Sequence, residues 1–179
     1  MPGGFSLWLL PGEPARTVLE RLIHRLAAEH DSPGFPPHLT LLGGLAPDPA
    51  NVEAAALLAA RLPPFSVAVS RISHTAEYFH SLYLEVAGAD ALLRARREAE
   101  DVFGSTPWPF APHLSLFYGT PPPAERERMA LAVAPFAPRA TPLVELALFR
   151  TAGGVASWAE AVRLPLAGPV GDRGAKAGE

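Results

Sequence analysis

Cysteine is missing from all 179 positions, which removes disulfides, thiol nucleophiles and any cysteine-bearing zinc site, and leaves only His, Asp and Glu as metal-ligating side chains. Charge is sparse, at 18% of residues with a formal net of −3, so no broad attraction to a long polyanion is expected and a small anionic ligand fits better. No stretch reaches the roughly 18 consecutive apolar residues of a membrane span. The short apolar run within residues 1–10 has no basic residue before it and no small-residue cleavage site after it, so it does not read as a signal peptide. A cytoplasmic location with no membrane partner is the expectation.

What the chain does have is 49% hydrophobic residues and 21 prolines, the composition of a globular fold with many reversals. At this length about 70% of the unfolded surface can be buried in one domain or two merged lobes. Residues 168–179 carry few apolar side chains and are expected to trail as a flexible tail, leaving residues 1–167 as one bilobal domain. Apolar runs bounded by Gly and Pro predict strands at residues 5–10, 39–42, 65–72, 81–86, 114–118, 144–150 and 155–164. A helical stripe of Val18, Leu19, Leu22, Ile23 and Leu26 predicts the first helix, and others are expected at residues 50–61, 90–103 and 124–133.

The most informative pattern is internal repetition. An offset of 75 residues lays Phe35 on Phe110, Pro37 on Pro112, His38 on His113, Leu39 on Leu114, Thr40 on Ser115 and Leu41 on Leu116. The same offset lays Leu7, Trp8 and Leu9 on Leu82, Tyr83 and Leu84, so each copy reads strand, helix, then a P-H-L-[ST]-L strand. Two related lobes about a pseudo-twofold axis are expected.

In a strand, residues two apart share a face, so His38 with Thr40, and His113 with Ser115, each present an imidazole beside a hydroxyl. A twofold relation brings both pairs to one cleft, where one histidine could activate water and the other protonate a departing ester oxygen on the far side of a phosphate. The two hydroxyls would donate to nonbridging oxygens. The third His-x-Ser match, His30 with Ser32, has no counterpart at this offset and is set aside. His24, His74 and His80 read as ordinary surface or turn residues, and Arg94, Arg96 and Arg97 as a solvated helix face.

Around these motifs the chain resembles the 2H phosphoesterase superfamily, and within it the plant and yeast type of cyclic phosphodiesterase. The likeness rests on FSLWLLP at residues 5–11, PGFPPHLTL at 33–41, APHLSLFYG at 111–119, and the segments at 71–86 and 146–162 with Trp158. The resemblance implies an α+β bilobal fold of two antiparallel sheets with outer helices and a central cleft. It implies hydrolysis of a cyclic phosphodiester, nucleoside 2′,3′-cyclic phosphate to the 2′-phosphate or ADP-ribose 1″,2″-cyclic phosphate to the 1″-phosphate, by a monomer needing no cofactor or metal. His38 and His113 would be acid and base, with no order between them, and Thr40, Ser115 and Tyr118 phosphate ligands. Trp8, and more weakly Tyr78 and Phe79, would stack on a base. Tyr118 lies out of phase with His113, so it reaches the cleft only if the strand ends or bulges near Phe117. Ala152, Gly153 and Gly154 stand where the family carries polar residues. Two alternatives stay open: RNA end processing on 3′-terminal cyclic phosphates, as in the bacterial branch, and a nucleotide-binding module without turnover.

Overall fold

In the computed structural model, residues 4–87, 89–106 and 109–168 are described. They form seven strands and four α-helices: β1 Phe5–Pro11, α1 Ala15–Glu29, β2 Leu39–Leu45, α2 Ala50–Arg61, β3 Phe65–Ser73, β4 Leu82–Val86, α3 Asp90–Phe103, β5 His113–Phe117, α4 Pro123–Val133, β6 Ala140–Arg150 and β7 Ala159–Pro165. The α+β class is as expected. The predicted last strand starts late, because Val155–Ser157 form a 3₁₀ turn, closed by the Ser157 hydroxyl on the carbonyls of Ala152 and Gly154. Gly168, assigned to the tail from sequence, is instead buried, and its amide donates to the Leu62 carbonyl at 3.0 Å. The rest of that tail, 169–179, lies outside the described residues.

All strand pairings are antiparallel, in the order β1-β2-β5-β4-β3-β6-β7, with β1 also bonded to β6. The two expected sheets are thus β2-β1-β6-β7 and β5-β4-β3-β6, made continuous because the 11-residue β6 serves both. The repeat is visible in the register itself. Leu7, Trp8 and Leu9 face Leu42, Thr40 and Leu39, while Leu82, Tyr83 and Leu84 face Phe117, Ser115 and Leu114, the same pairs moved by 75 positions. Where β2 meets β5, Leu39 pairs with Leu114, its own repeat equivalent, as a twofold axis between antiparallel strands requires.

The leucines of these strands point one way into the core, with Leu7, Leu9, Leu39, Leu41, Leu82, Leu84, Leu114 and Leu116 all buried. Helices cover that face in exchanged fashion: α1, from the first copy, packs on β5, and α3, from the second, packs on β2. On α3 the inward positions are Leu92, Ala95, Arg96 and Ala99, at the spacing of one helical stripe. Arg96 is therefore not on a solvated face. It is buried, donates to the Leu41 carbonyl and pairs with Glu100 at 2.7 Å, whereas Arg94 and Arg97 are exposed. The helix ends at Gly104, whose φ of 59° is the left-handed geometry that glycine adopts without penalty. Among the described residues, no helix is long and apolar enough to cross a membrane.

Candidate active site

The face opposite the leucines opens into a cavity of about 270 Å³ whose lining includes His38, Thr40, His113, Tyr118 and Trp8. The two histidines are held alike. The Nδ1 of His38 lies 2.7 Å from the Pro36 carbonyl, and that of His113 lies 2.8 Å from the Ala111 carbonyl. A carbonyl only accepts, so each Nδ1 carries a proton, and Nε2 is left as the nitrogen that gains or loses one.

Their surroundings differ. His38 is buried, with its ring stacked on Trp8 at 3.7 Å between centroids and 11° between planes. Burial, opposed by the Pro36 carbonyl and aided by nearby His113, lowers its pKa from 6.5 to about 4. His113 is half-buried. Burial and the neighbouring His80 lower its pKa as well, against the Ala111 carbonyl.

Tyr118 reaches the cleft for the reason the alternation demanded. In β5 one residue, Leu116, lies between the partners of Tyr83 and Leu82, an extra residue that shifts the phase, and the strand stops at Phe117. The phenol stacks on Phe35 at 4.0 Å, and its hydroxyl sits 3.5 Å from His38 Nε2. Burial raises its pKa, so it stays protonated; a hydrogen bond to Ser115 opposes the rise. Ser115 itself is buried and is not among the residues that line the cavity.

Trp8 corrects an expectation. It is 1% exposed, stacked on His38, the residue just before β2, and on Phe149 of β6 at 3.9 Å. Those strands flank β1 on opposite sides, so no indole face is left for a nucleobase. Trp8 instead fixes the His38 ring.

Several lining residues were given no site role from sequence. His80 stands 4.4 Å from the His113 ring. Trp158 faces Phe79 across 6.1 Å, in near-parallel planes. Ser6 and Thr151 join hydroxyls at 3.1 Å, so Thr151 offers a polar group just before the Ala152–Gly154 stretch that lacks one. The signal for Ser6 was its position two before Trp8 on the same strand face. Tyr78 is 40% exposed and packs near Tyr118 instead of lining the cavity.

An α+β fold with a duplicated imidazole strand on a common cleft defines the class, a two-histidine fold built by internal repetition. The profile of the 2′-5′ RNA ligase superfamily matches residues 11–155, and the chain belongs to that family, the 2H phosphoesterases. Among solved structures it is similar to TT0787 of Thermus thermophilus, with TM-score 0.60, 20% identity and coverage of 92% of this chain and 98% of that one. It is likewise similar to E. coli LigT complexed with 3′-AMP, with TM-score 0.54, 19% identity and coverage of 93% and 99%. A cyclic phosphodiesterase of Arabidopsis thaliana is 29% identical over 119 residues, 64% of this chain. The chain spans 64% of the length of that curated relative.

Proposed function

We propose that the protein hydrolyses a cyclic phosphodiester in a small nucleotide, opening nucleoside 2′,3′-cyclic phosphate to the 2′-phosphate or ADP-ribose 1″,2″-cyclic phosphate to the 1″-phosphate, without a metal. One observation carries the reading: two histidines from separate copies of a repeat, each with Nδ1 tied to the carbonyl two residues before it, border one cavity with Nε2 as the working nitrogen. The likeness to a plant cyclic phosphodiesterase supports the reaction class.

His38 is the base in this reading. Burial keeps it neutral at physiological pH, so Nε2 can take a proton from the attacking water, and the stacked Trp8 face stabilises the imidazolium that results. His113 is the acid. It is less enclosed, and a bound phosphodiester favours its charged form, so its Nε2 proton passes to the departing 3′ oxygen as the P–O3′ bond breaks. Water supplies the new P–O bond and the 2′ ester stays intact. Thr40 and the Tyr118 hydroxyl donate to nonbridging oxygens, with Ser115 orienting Tyr118.

The deciding experiment incubates the protein with both substrate types, with and without chelator, and identifies the ester bond that opens. A 2′- or 1″-phosphate formed at equal rate in chelator is expected. A 3′-phosphate product contradicts the assigned bond, loss of activity in chelator contradicts metal independence, and binding without turnover leaves the nucleotide-binding module.

A further inference from the structure

Beyond the paired histidines the cleft holds a third imidazole with no equivalent in the repeat, since the offset of 75 places Phe5 opposite His80. His80 ends the 3₁₀ turn Tyr78–His80, and that turn is fastened to the segments that follow β3 and β5. The hydroxyl and amide of Thr75 both donate to the His80 carbonyl, at 2.9 and 3.0 Å, and the Gly119 amide donates to the Tyr78 carbonyl at 3.0 Å. The ring is thereby set beside His113, with centroids 4.4 Å apart.

His80 also has what His113 lacks, a carboxylate of its own. Its Nδ1 is 3.4 Å from a Glu77 carboxylate oxygen, and its side chain is 38% exposed. The other ionisable groups around the pair are Tyr83 and Glu85 from β4 and, across the cleft, His38. Glu85 is already bound by Arg71 and Ser73. Two imidazolium rings at this spacing repel, so a proton on one disfavours a proton on the other. Both rings line the main cavity, the space an anion would occupy, and a second cavity of about 280 Å³ shares His80, Ala111 and His113 with it.

We propose that His80 is a positioning residue for the reaction: an imidazolium held by Glu77 against the His113 ring, it keeps His113 from taking its proton until an anion fills the space beside them. The phosphodiester then loads its own general acid, because its negative charge relieves the repulsion between the two rings. This inference rests on the reading of His113 as the acid.

The test uses the full chain and three forms, wild type, His80→Gln and His80→Lys. In the free protein, NMR titration of the His113 ring should give a midpoint about half a pH unit or more higher in His80→Gln, the size a removed neighbouring charge produces at this spacing. His80→Lys, which keeps a charge, should leave it at or below the wild-type value. Equal midpoints in all three forms, or a rise in both variants, would overturn the proposal, since packing alone would act on both. With substrate, the alkaline limb of kcat/KM should move upward in His80→Gln by the same amount as the NMR midpoint. An active wild type whose limb does not move in His80→Gln overturns the inference alone. A wild type inert toward both cyclic phosphates overturns the proposed reaction, and with it the positioning role of His80 in that reaction, while the titration still reports the coupling of the rings.

Discussion

The His38 half and the His113 half of the cleft share backbone, register and tautomer, yet their neighbours have diverged. Trp8 pairs with Thr40 as Tyr83 pairs with Ser115, but Trp8 stacks flat on His38 while Tyr83 meets His113 edge-on, at 5.3 Å and 67°. Position 118 bears a tyrosine whose repeat equivalent is Gly43, and His80 adds a second imidazole only on the His113 side. In the proposed reaction, duplication would place two identical groups at one phosphate, and unequal burial would make one a base and the other an acid, the separation of proton affinities that acid–base catalysis needs.

The sharpest way to break this comparison is to remove each histidine. His38→Ala and His113→Ala should each lower kcat by about 100- to 10,000-fold, the usual worth of a positioned proton transfer. Equal losses do not distinguish the roles, but leaving-group chemistry does. A substrate whose departing oxygen needs no protonation, such as an aryl phosphodiester, should recover activity with His113→Ala and not with His38→Ala. Rescue of His38→Ala instead would exchange the assignments.

The repeat-related pair Trp8 and Tyr83 gives the next largest contrast. Trp8→Ala empties a buried site and should cost about 3–5 kcal/mol in urea unfolding. It should also let the His38 pKa climb back toward 6.5, where an NMR titration would read it. Tyr83 is half-buried, and Tyr83→Ala should cost only about 1–2 kcal/mol and leave His38 unmoved. If the Tyr83 variant moves His38 as far, the stacking does not set the burial.

How much of this was legible in the sequence depends on which physical signal each feature leaves. Helices α2 and α3 fall on the predicted residues because their apolar spacing is unbroken, and the strand pairs follow from the repeat, which ties Leu9 to Leu39 as it ties Leu84 to Leu114. The bulge at Leu41 was not readable, since an extra strand residue leaves no compositional mark and Leu fits either phase, whereas the one at Leu116 was legible only as the condition for Tyr118 to reach the cleft. The dual role of β6 was hidden for a related reason: pairing partners are set by tertiary assembly, not local pattern. Arg96 was misread because three arginines in four positions suggest solvent, although its spacing from Leu92 and Ala99 already placed it on the inward stripe. His80 was legible only as a residue of a turn near the cleft, because its neighbour at the site is 33 residues away and His80 has no counterpart in the repeat.

The unequal burial also predicts how stability depends on pH. His38 has a pKa of about 4 when folded and 6.5 when exposed, so between those values the unfolded chain binds the extra proton. Stability is then full above pH 6.5 and falls as pH drops toward 4, by on the order of 3 kcal/mol from this residue. Urea unfolding at pH 7 and pH 4.5 should show the fall in wild type and a smaller one in His38→Gln. An equally steep fall in the variant would assign the slope to other groups and remove the claim that His38 is the neutral partner.

The smallest effect concerns how each half steadies the other. The segment after α1 reaches across so that Ser32 donates to the Tyr118 carbonyl at 2.7 Å, just as Arg96 of α3 donates to Leu41 in the opposite direction. The His30 ring lies edge-on to Phe117 at 5.5 Å, so the His-x-Ser match set aside as chance buttresses the end of β5. Ser32→Ala removes one hydrogen bond, worth about 1 kcal/mol, which corresponds to roughly fivefold if all of it is felt at Tyr118. Loss of the Tyr118 hydroxyl in Tyr118→Phe should cost kcat about tenfold, as a charge-bearing contact in the transition state would. The two changes act on one group, so Ser32→Ala should lower kcat in wild type but add nothing in Tyr118→Phe. Additive losses would mean that Ser32 steadies the fold at large; a full loss of coupling together with unchanged kcat in Ser32→Ala would mean that Tyr118 is held in place by Phe35 and Ser115 alone.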